Sequence, residues 1–542
     1  MDVGELLSFK PKTIPKRDVS ELGEDVGQTA HVVPEKRPRV QFNSKSDTAE
    51  AEKLPDLPEP EVEGLNELSL KKMVLNFEKK ALKNQELRIK FPGCPEKFME
   101  SEVELHEAIQ QIHALATVPE LYPLAVSLNL VPSLLNLLSH ENADIAIAVV
   151  NLLQELTDID TLNESEEHAA PLIDALLEQQ ITALLIQNME RLDESVSEEA
   201  DGVHYSLAII ENLTEAKPEI CLQSVQQGLM AWLLKRIRVK GPFDPVKLYT
   251  SEILSIVLQN ETENRKTLGD LDGIDILLQQ LAVYKRNDPK TSEETEMVEN
   301  LFDSLCLALH YAPNRDKFLK GEGLQLMNLM LREKKHSRTG ALKVLNHALT
   351  GPEGRDNCQK FVDILGLRTI FPLFMKTPKK QKRKGLSAEE FEEHVLSIIA
   401  SVLRGCKGVQ LQRLLLKFSE NDHEKVDRLM ELHFKFLEKV RLMDEQLAKE
   451  YVDDEDAETV VYMKKLEGGL FSLQLVDLII IDVCANGPDS VKQRVLHILN
   501  LRKASIKTIR DIMREYAGNL GDGDSEMRLE EQQRIMALVD KF

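Results

Sequence analysis

The chain has 542 residues, well beyond the roughly 250–300 that one hydrophobic core supports, so it is either several domains or an array that grows in one dimension. Hydrophobic residues make up 42% and aromatics only 5%, with Trp232 the single tryptophan, and this Leu-, Met- and Ala-weighted balance favours helix over sheet. A net charge of −23 repels phosphate backbones, which argues against direct nucleic-acid binding and suits basic partners.

Six cysteines are scattered with no CxxC pair, which excludes a disulfide framework and a zinc module and implies a reducing compartment. We find no apolar run of about 18 residues and no signal-peptide core, so the expectation is a soluble intracellular chain with no membrane span.

Residues 1–66 read as a disordered arm. Seven prolines punctuate it, and Phe9 and Phe42 are its only aromatics, too little apolar area to offset the entropy of ordering. Its first half is basic and its second half acidic. The cluster Lys36, Arg37, Pro38 and Arg39 has the form of a nuclear-localisation motif, whose extended backbone spaces its cations for the acidic pockets of an import carrier. Lys16-Arg17 lies farther from it than a bipartite signal usually allows.

Residues 67–127 read as a helical N-terminal cap. Met73, Phe77, Leu82 and Leu87 fit one amphipathic helix, ended by Pro92 and Pro95, and a second helical run covers Glu102 to Ala116.

Residues 128–410 are repetitive. Val131, Ile181, Leu229, Ile274, Leu324 and Leu367 each follow a turn and open a Leu-rich helix, at intervals of 50, 48, 45, 50 and 43 residues. Armadillo and HEAT units run to roughly 40–47 residues. The excess falls in polar insertions such as Asp158–Glu167 and Asp288–Glu296. A second apolar run follows each anchor, as in Ile145–Leu153 and Val203–Leu213, with the small-residue spacing of a third, inner helix. One such unit cannot bury its own apolar face, but stacked neighbours can. The fold class is therefore an all-α armadillo/HEAT-type right-handed superhelical solenoid. Asn212 and Asn346 are candidate groove residues. Lys379, Lys380, Lys382, Arg383 and Lys384 form a second basic motif between two helices of the last unit.

Residues 411–542 read as a helical C-terminal cap. It begins with long charged helices of coiled-coil type and has an acidic linker near 453–458. The nearly all-apolar run Gly469–Val483 makes this region a candidate for homodimer formation.

Enzyme signatures are missing. Lys320-Gly321-Glu322-Gly323 lacks the spacing of a phosphate loop, Asp270-Leu271-Asp272-Gly273 lacks the EF-hand register, and both fall at repeat junctions. His204, His310 and His347 sit in apolar runs and read as core residues. No catalytic site, metal or cofactor is expected. Trp232 is followed by Leu-Leu-Lys-Arg, so the Trp-x-x-x-Asn ladder of importin-type carriers is missing too.

Several segments carry a resemblance: Asn84–Phe91, Leu152–Asp160, Arg191–Val196, Phe318–Lys335, Phe361–Lys376 and Lys425–Lys435. Through them the chain, from about residue 70 onward, resembles the beta-catenin-like family of nuclear armadillo-repeat proteins. Its arm shares the Lys-Arg-Pro-Arg element and otherwise departs. The resemblance implies a non-catalytic nuclear scaffold, associated with the spliceosomal complex built on the Prp-nineteen ubiquitin ligase and its Myb-like partner. It also implies that the scaffold binds basic localisation-type segments of splicing factors. The residues alone leave two other readings open, a nuclear transport adaptor for basic cargo and a catenin-like signalling scaffold.

Replacing Lys36, Arg37 and Arg39 together by Ala should lower nuclear accumulation of the full chain in imaging; unchanged localisation would reject this cluster as the signal.

Overall fold

A computed structural model describes residues 65–377, 386–450, 458–520 and 525–542. Lys36–Arg39, the basic motif at 379–384 and the acidic run at 453–456 lie outside the described residues.

Every regular element among the described residues is helical. Helix α1 (Glu67–Lys90) starts with a capping box: the Asn66 side chain accepts from the Ser69 amide at 3.0 Å, and Ser69 Oγ accepts from the Asn66 amide at 2.8 Å. It packs on α2 (Met99–Ile112) through Leu70, Val74 and Phe77. The sequence reading had placed Leu82 on this face. Leu82 is 59% exposed, because Leu70, Val74 and Phe77 set a face that points away from it.

Six units follow, each with two short helices and a longer third. The first is α3 (Tyr122–Ser127), α4 (Leu130–Asn136) and α5 (Ala143–Leu156). The insertion after α5 holds a short helix, α6 (Ile159–Glu164). The second unit is α7 (Glu166–Glu178), α8 (Ile181–Arg191) and α9 (Ser197–Ala216); the third is α10 (Ile220–Gln226), α11 (Leu229–Arg238) and α12 (Pro245–Leu258). The fourth is α13 (Thr262–Asp270), α14 (Gly273–Ala282) and α15 (Ser292–Ala308); the fifth is α16 (Ala312–Lys320), α17 (Gly323–Arg332) and α18 (Ser337–Leu349). The sixth is α19 (Arg355–Asp363), α20 (Leu367–Met375) and α21 (Ala388–Gly405).

The turn between first and second helix recurs in all six. One residue there takes the left-handed conformation: Asn129, Gln180, Gly228, Asp272, Glu322 and Leu365, with φ between 54° and 107°. Five of these are not glycine, so packing holds a conformation that disfavours a side chain by roughly 1–2 kcal/mol. The next residue is glycine in three units, for a different reason. A Cβ on Gly323 would lie 2.3 Å from the Phe318 ring, and one on Gly366 would lie 2.4 Å from Phe361. Gly273 meets Leu268 in the same way at 2.5 Å.

A ladder of buried asparagines fastens unit to unit. Asn314 Nδ2 donates to Ala308 O at 2.9 Å, ending α15, and to Arg265 O at 2.8 Å in α13. Asn264 does the same to Val257 O at 2.8 Å and Cys221 O at 3.2 Å. Asn357 reaches Ala348 O at 3.1 Å. Arg265 and Arg315, the next residues along, donate to Leu258 O at 2.9 Å and Leu309 O at 2.8 Å. Carbonyls left open at the ends of α12, α15 and α18 thus find donors in the following unit.

Beyond unit six lie α22 (Gly408–Lys417), α23 (Glu424–Glu450), α24 (Glu458–Lys465), α25 (Phe471–Asn486), α26 (Asp489–Leu501), α27 (Ile506–Gly518) and α28 (Ser525–Lys541). Helix α25 stacks on α21 as a seventh third helix and is enclosed by α23, α26, α27 and α28. Leu473, Val476, Ile479, Ile480, Ile481 and Val483 are fully buried. The run that suggested self-association is therefore mostly covered by the chain itself, with Phe471 its one exposed large apolar side chain.

The expectation of no membrane-length run also needs correction. Thr459–Asn486 is helical over 28 residues, interrupted by a kink at Gly469, and its most apolar window has a mean hydropathy of 1.8, enough by length and composition to cross a membrane. The sequence reading takes the apolar run only from Gly469, where the backbone leaves helical geometry (φ 113°, ψ 0°) and the two helices meet at a kink. Of that window, 78% is buried inside the protein. Its two carboxylates have partners on other helices: Asp477 Oδ1 meets His433 Nδ1 at 2.6 Å, and Asp482 accepts from Arg534 at 2.6 Å.

Replacing Asn314 by Ala strips donors from two backbone carbonyls and should cost about 2–4 kcal/mol, read as a lowered midpoint in chemical denaturation.

Candidate interaction surface

The third helices α5, α9, α12, α15, α18, α21 and α25 pack directly on one another in chain order, forming one layer of the solenoid. Each buries most of its circumference and leaves one stripe at helical spacing toward solvent. On α9 the stripe is Asp201, His204, Tyr205, Ala208, Glu211, Asn212 and Glu215; on α15 it is Glu296, Glu299, Asn300, Asp303 and Leu307. Asp144 and Glu155 on α5 and Glu390 and Glu393 on α21 extend the same pattern. Basic side chains on these stripes are Lys343, 3.4 Å from Asp303, and Arg404, 3.1 Å from Glu531. Both are neutralised within the protein, so the stripe keeps a strong acidic excess.

Neighbouring stripes touch. Tyr249 donates its hydroxyl to Glu211, and its ring lies 4.7 Å from that of His204. Asn300 Nδ2 reaches Ser251 Oγ at 3.4 Å. His336 Nε2 lies 3.4 Å from Glu299. His310 Nε2 and His347 Nδ1 are 3.1 Å apart, and Asn346 Nδ2 meets His394 Nδ1 at 3.1 Å. Burial and Glu211 together raise the Tyr249 hydroxyl well above the usual phenol range.

Asn212 and Asn346 both lie on this layer, as expected from sequence, but three units apart, and they do not meet. Asn212 is half-buried on α9. Asn346 is held by His394, while its Oδ1 is buried and has no hydrogen-bond partner among the described residues. Trp232 sits on α11, a second helix, and is buried in the core.

The histidines overturn their sequence reading. His204 and His310 are exposed and His347 is half-exposed, all on the solvent stripe. Their runs are apolar because the residues on either side face inward. Partial desolvation of the ring against the layer lowers the pKa of His204, His310 and His394, and His347 is pushed down to about 4, first by desolvation and then by His310 and His394. Among the described residues, no three His, Cys, Asp or Glu side chains are arranged to hold a metal ion. The asparagine ladder and the histidine contacts were missed in the sequence. The Asn-Arg pairs at 264–265 and 314–315, at the same place in two units, are the signal that could have found the ladder.

A stacked three-helix solenoid with a polar layer of third helices defines an armadillo-repeat scaffold. The chain belongs to the family described as "Catenin-beta-like, Arm-motif containing nuclear", whose model matches residues 48–514, and its localisation is nuclear. It is 60% identical to beta-catenin-like protein 1 of Homo sapiens over 487 residues, covering 88% of this chain and 86% of that one. The Rattus norvegicus protein is 55% identical over 564 residues, spanning 100% of both chains. The homolog in Schizosaccharomyces pombe is 34% identical over 490 residues, 88% of this chain and 85% of that one.

Because its folded pKa lies below the ordinary 6.5, His347 is proton-free in the folded protein and charges more readily once unfolded. Stability should be full above pH 6.5 and fall as pH drops toward 4. Thermal unfolding across that window should show a shallower acid-side loss for His347→Gln than for the unaltered chain.

Proposed function

We propose that this chain is a non-catalytic nuclear scaffold of the pre-mRNA splicing machinery, which binds basic linear segments of partner proteins along its layer of third helices. The observation that carries the reading is the acidic excess on that layer, with Lys343 and Arg404 both engaged by carboxylates. An extended peptide bearing Lys or Arg matches a row of carboxylates set one helix apart. The net charge of −23 adds long-range attraction for the same partners. Asn212, half-buried on α9, would supply backbone-directed hydrogen bonds to such a peptide, as an amide side chain offers both a donor and an acceptor. The link to splicing, through the Prp-nineteen-type complex, rests on the resemblance of the sequence to the beta-catenin-like family. We also propose that import carriers recognise the Lys36–Arg39 motif of the arm.

Glu215→Lys with Glu296→Lys reverses two exposed charges on α9 and α15. Affinity for a Lys/Arg-rich splicing-factor peptide, measured by fluorescence anisotropy, should fall about tenfold or more and lose most of its salt dependence. Unchanged affinity would move the binding site off this layer. Affinity purification from nuclear extract tests the splicing assignment separately; recovery of no spliceosomal protein would reject it.

A further inference from the structure

The junctions between second and third helices form one edge of the solenoid. The second helices α8, α11, α14, α17 and α20 pack on one another in chain order. Their junctions touch: Arg236 of the third unit reaches Glu194 of the second at 2.6 Å, and Lys335 and the His336 amide of the fifth reach Asp288 of the fourth at 3.1 and 2.8 Å. Along this edge stand Arg238 and Lys240 in the third unit, Arg286 in the fourth, Arg332 and Lys334 in the fifth, and Lys376 in the sixth. All six are exposed, and none forms an ion pair among the described residues. The carboxylates beside the row are mostly engaged: Glu190 by Lys235, Asp288 by Lys335, and Glu194 and Asp244 by Arg236. Desolvation and then Arg286 lower the pKa of Lys285, with no carboxylate to offset them. Helix ends do not account for such a row. They favour a cation in the last turn, yet the third helices α5, α9, α12 and α15 carry none in theirs, and Lys240, Arg286, Lys334 and Lys376 lie past the last helical residue. A chain of net charge −23 thus sets unpaired cations at one repeated position of four successive units.

We propose that this edge is a second docking surface, separate from the third-helix layer, and that its occupant is an extended Asp/Glu-rich segment of a partner protein. Charge complementarity selects the occupant, because the acidic remainder of the chain repels an anion everywhere else. A row from the third to the sixth unit spans about 30 Å at the usual 8–10 Å between packed helices, the length of about nine residues of extended chain. An acid at every third position of the segment would then face each unit. The row also has an apolar anchor point. A hollow of about 410 Å³ opens between α11 and α14, lined by Leu234, Val239, Leu271 and Ile276 with Lys235 and Arg238 beside them. Val239 and Leu271 are 52% and 41% exposed. A bulky apolar side chain of the segment fits there, next to the first cations of the row. Single-stranded RNA suits the edge less well. Phe243 and Tyr284, the aromatic residues of the junctions in units three and four, pack on the core and offer no platform for base stacking.

Fluorescence anisotropy of the full chain with a labelled peptide tests this. The peptide has about ten residues, Glu or Asp at every third position, and a Leu near each end, because either chain direction can bring one to the hollow. The expected result is binding that weakens as salt is added and falls about tenfold or more in Arg238→Glu/Arg286→Glu/Arg332→Glu. Circular dichroism and thermal midpoint should stay unchanged in that variant, because all three side chains are exposed and unpaired. Replacing both peptide leucines by Ala should weaken binding several-fold to the unaltered chain but not to Ala231→Trp, whose indole fills the hollow. Absence of binding at low salt overturns the proposal, whether or not the chain's own acidic stretch at 50–63 then holds the row. Affinity that survives the three reversals overturns the surface. A single-stranded RNA of the same length that displaces the peptide at equal concentration overturns the class of partner. Equal binding of the Leu and Ala peptides by the unaltered chain overturns the anchor.

Discussion

No unit of this protein can bury its own apolar residues, and the rest of the structure follows from that constraint. A third helix such as α15 has core residues on nearly every side: Val298, Leu301 and Leu305 are buried together with Phe302 and Ala308. Only a unit before and a unit after it can cover them. The buried cluster accordingly runs without a break from Leu70 to Phe542. Stability in such an array is a sum of unit terms and neighbour interfaces, so the ends need special treatment. At the N-terminus α1 and α2 close the stack, and at the C-terminus α23 to α28 enclose the last third helix.

Stacking also creates a polar accounting problem, since each third helix ends in open carbonyls beneath the next unit. At the ends of α12, α15 and α18, Asn264, Asn314 and Asn357 answer it with one side chain each, and Arg265 and Arg315 cover the neighbouring carbonyls. Gly269 completes the arrangement around Asn314, because a Cβ there would lie 2.0 Å from Asn314 Oδ1. These contacts hold consecutive third helices in register.

The C-terminal enclosure uses charge where the repeats use apolar area. Glu392 on α21 accepts from Lys435 at 2.6 Å, Arg428 at 2.8 Å and Thr377 at 2.7 Å, tying α23 to the sixth unit. Arg494 holds Asp427 with two contacts of 2.8 Å. Burial raises the pKa of Asp477, and His433 beside it draws it back. Buried ionic contacts such as those of Glu392 and of His433 with Asp477 are poor sources of net stability, but they penalise any other docking of α23 strongly.

The helical class, the six-fold repeat and the family were legible in the sequence, because period and turn chemistry are local properties. Anchors such as Ile181, Ile274 and Leu324 fall within two residues of the left-handed turn residues Gln180, Asp272 and Glu322. Localisation of Asn212 and Asn346 to the third-helix layer was legible for the same reason. What packs across the layer was not. His310 meets His347 across 37 residues of chain with no local pattern to announce it, and Asn314 reaches Arg265 across 49 with only the repeated Asn-Arg pair as a trace in the sequence. Leu82 was assigned to the wrong face because a helix bearing two apolar stripes has no single hydrophobic side; only contact with α2 decides which stripe is core. The apolar run in α25 was recognised as apolar from sequence, but five helices closing around it, rather than a second chain or a bilayer, is a choice that only tertiary packing makes.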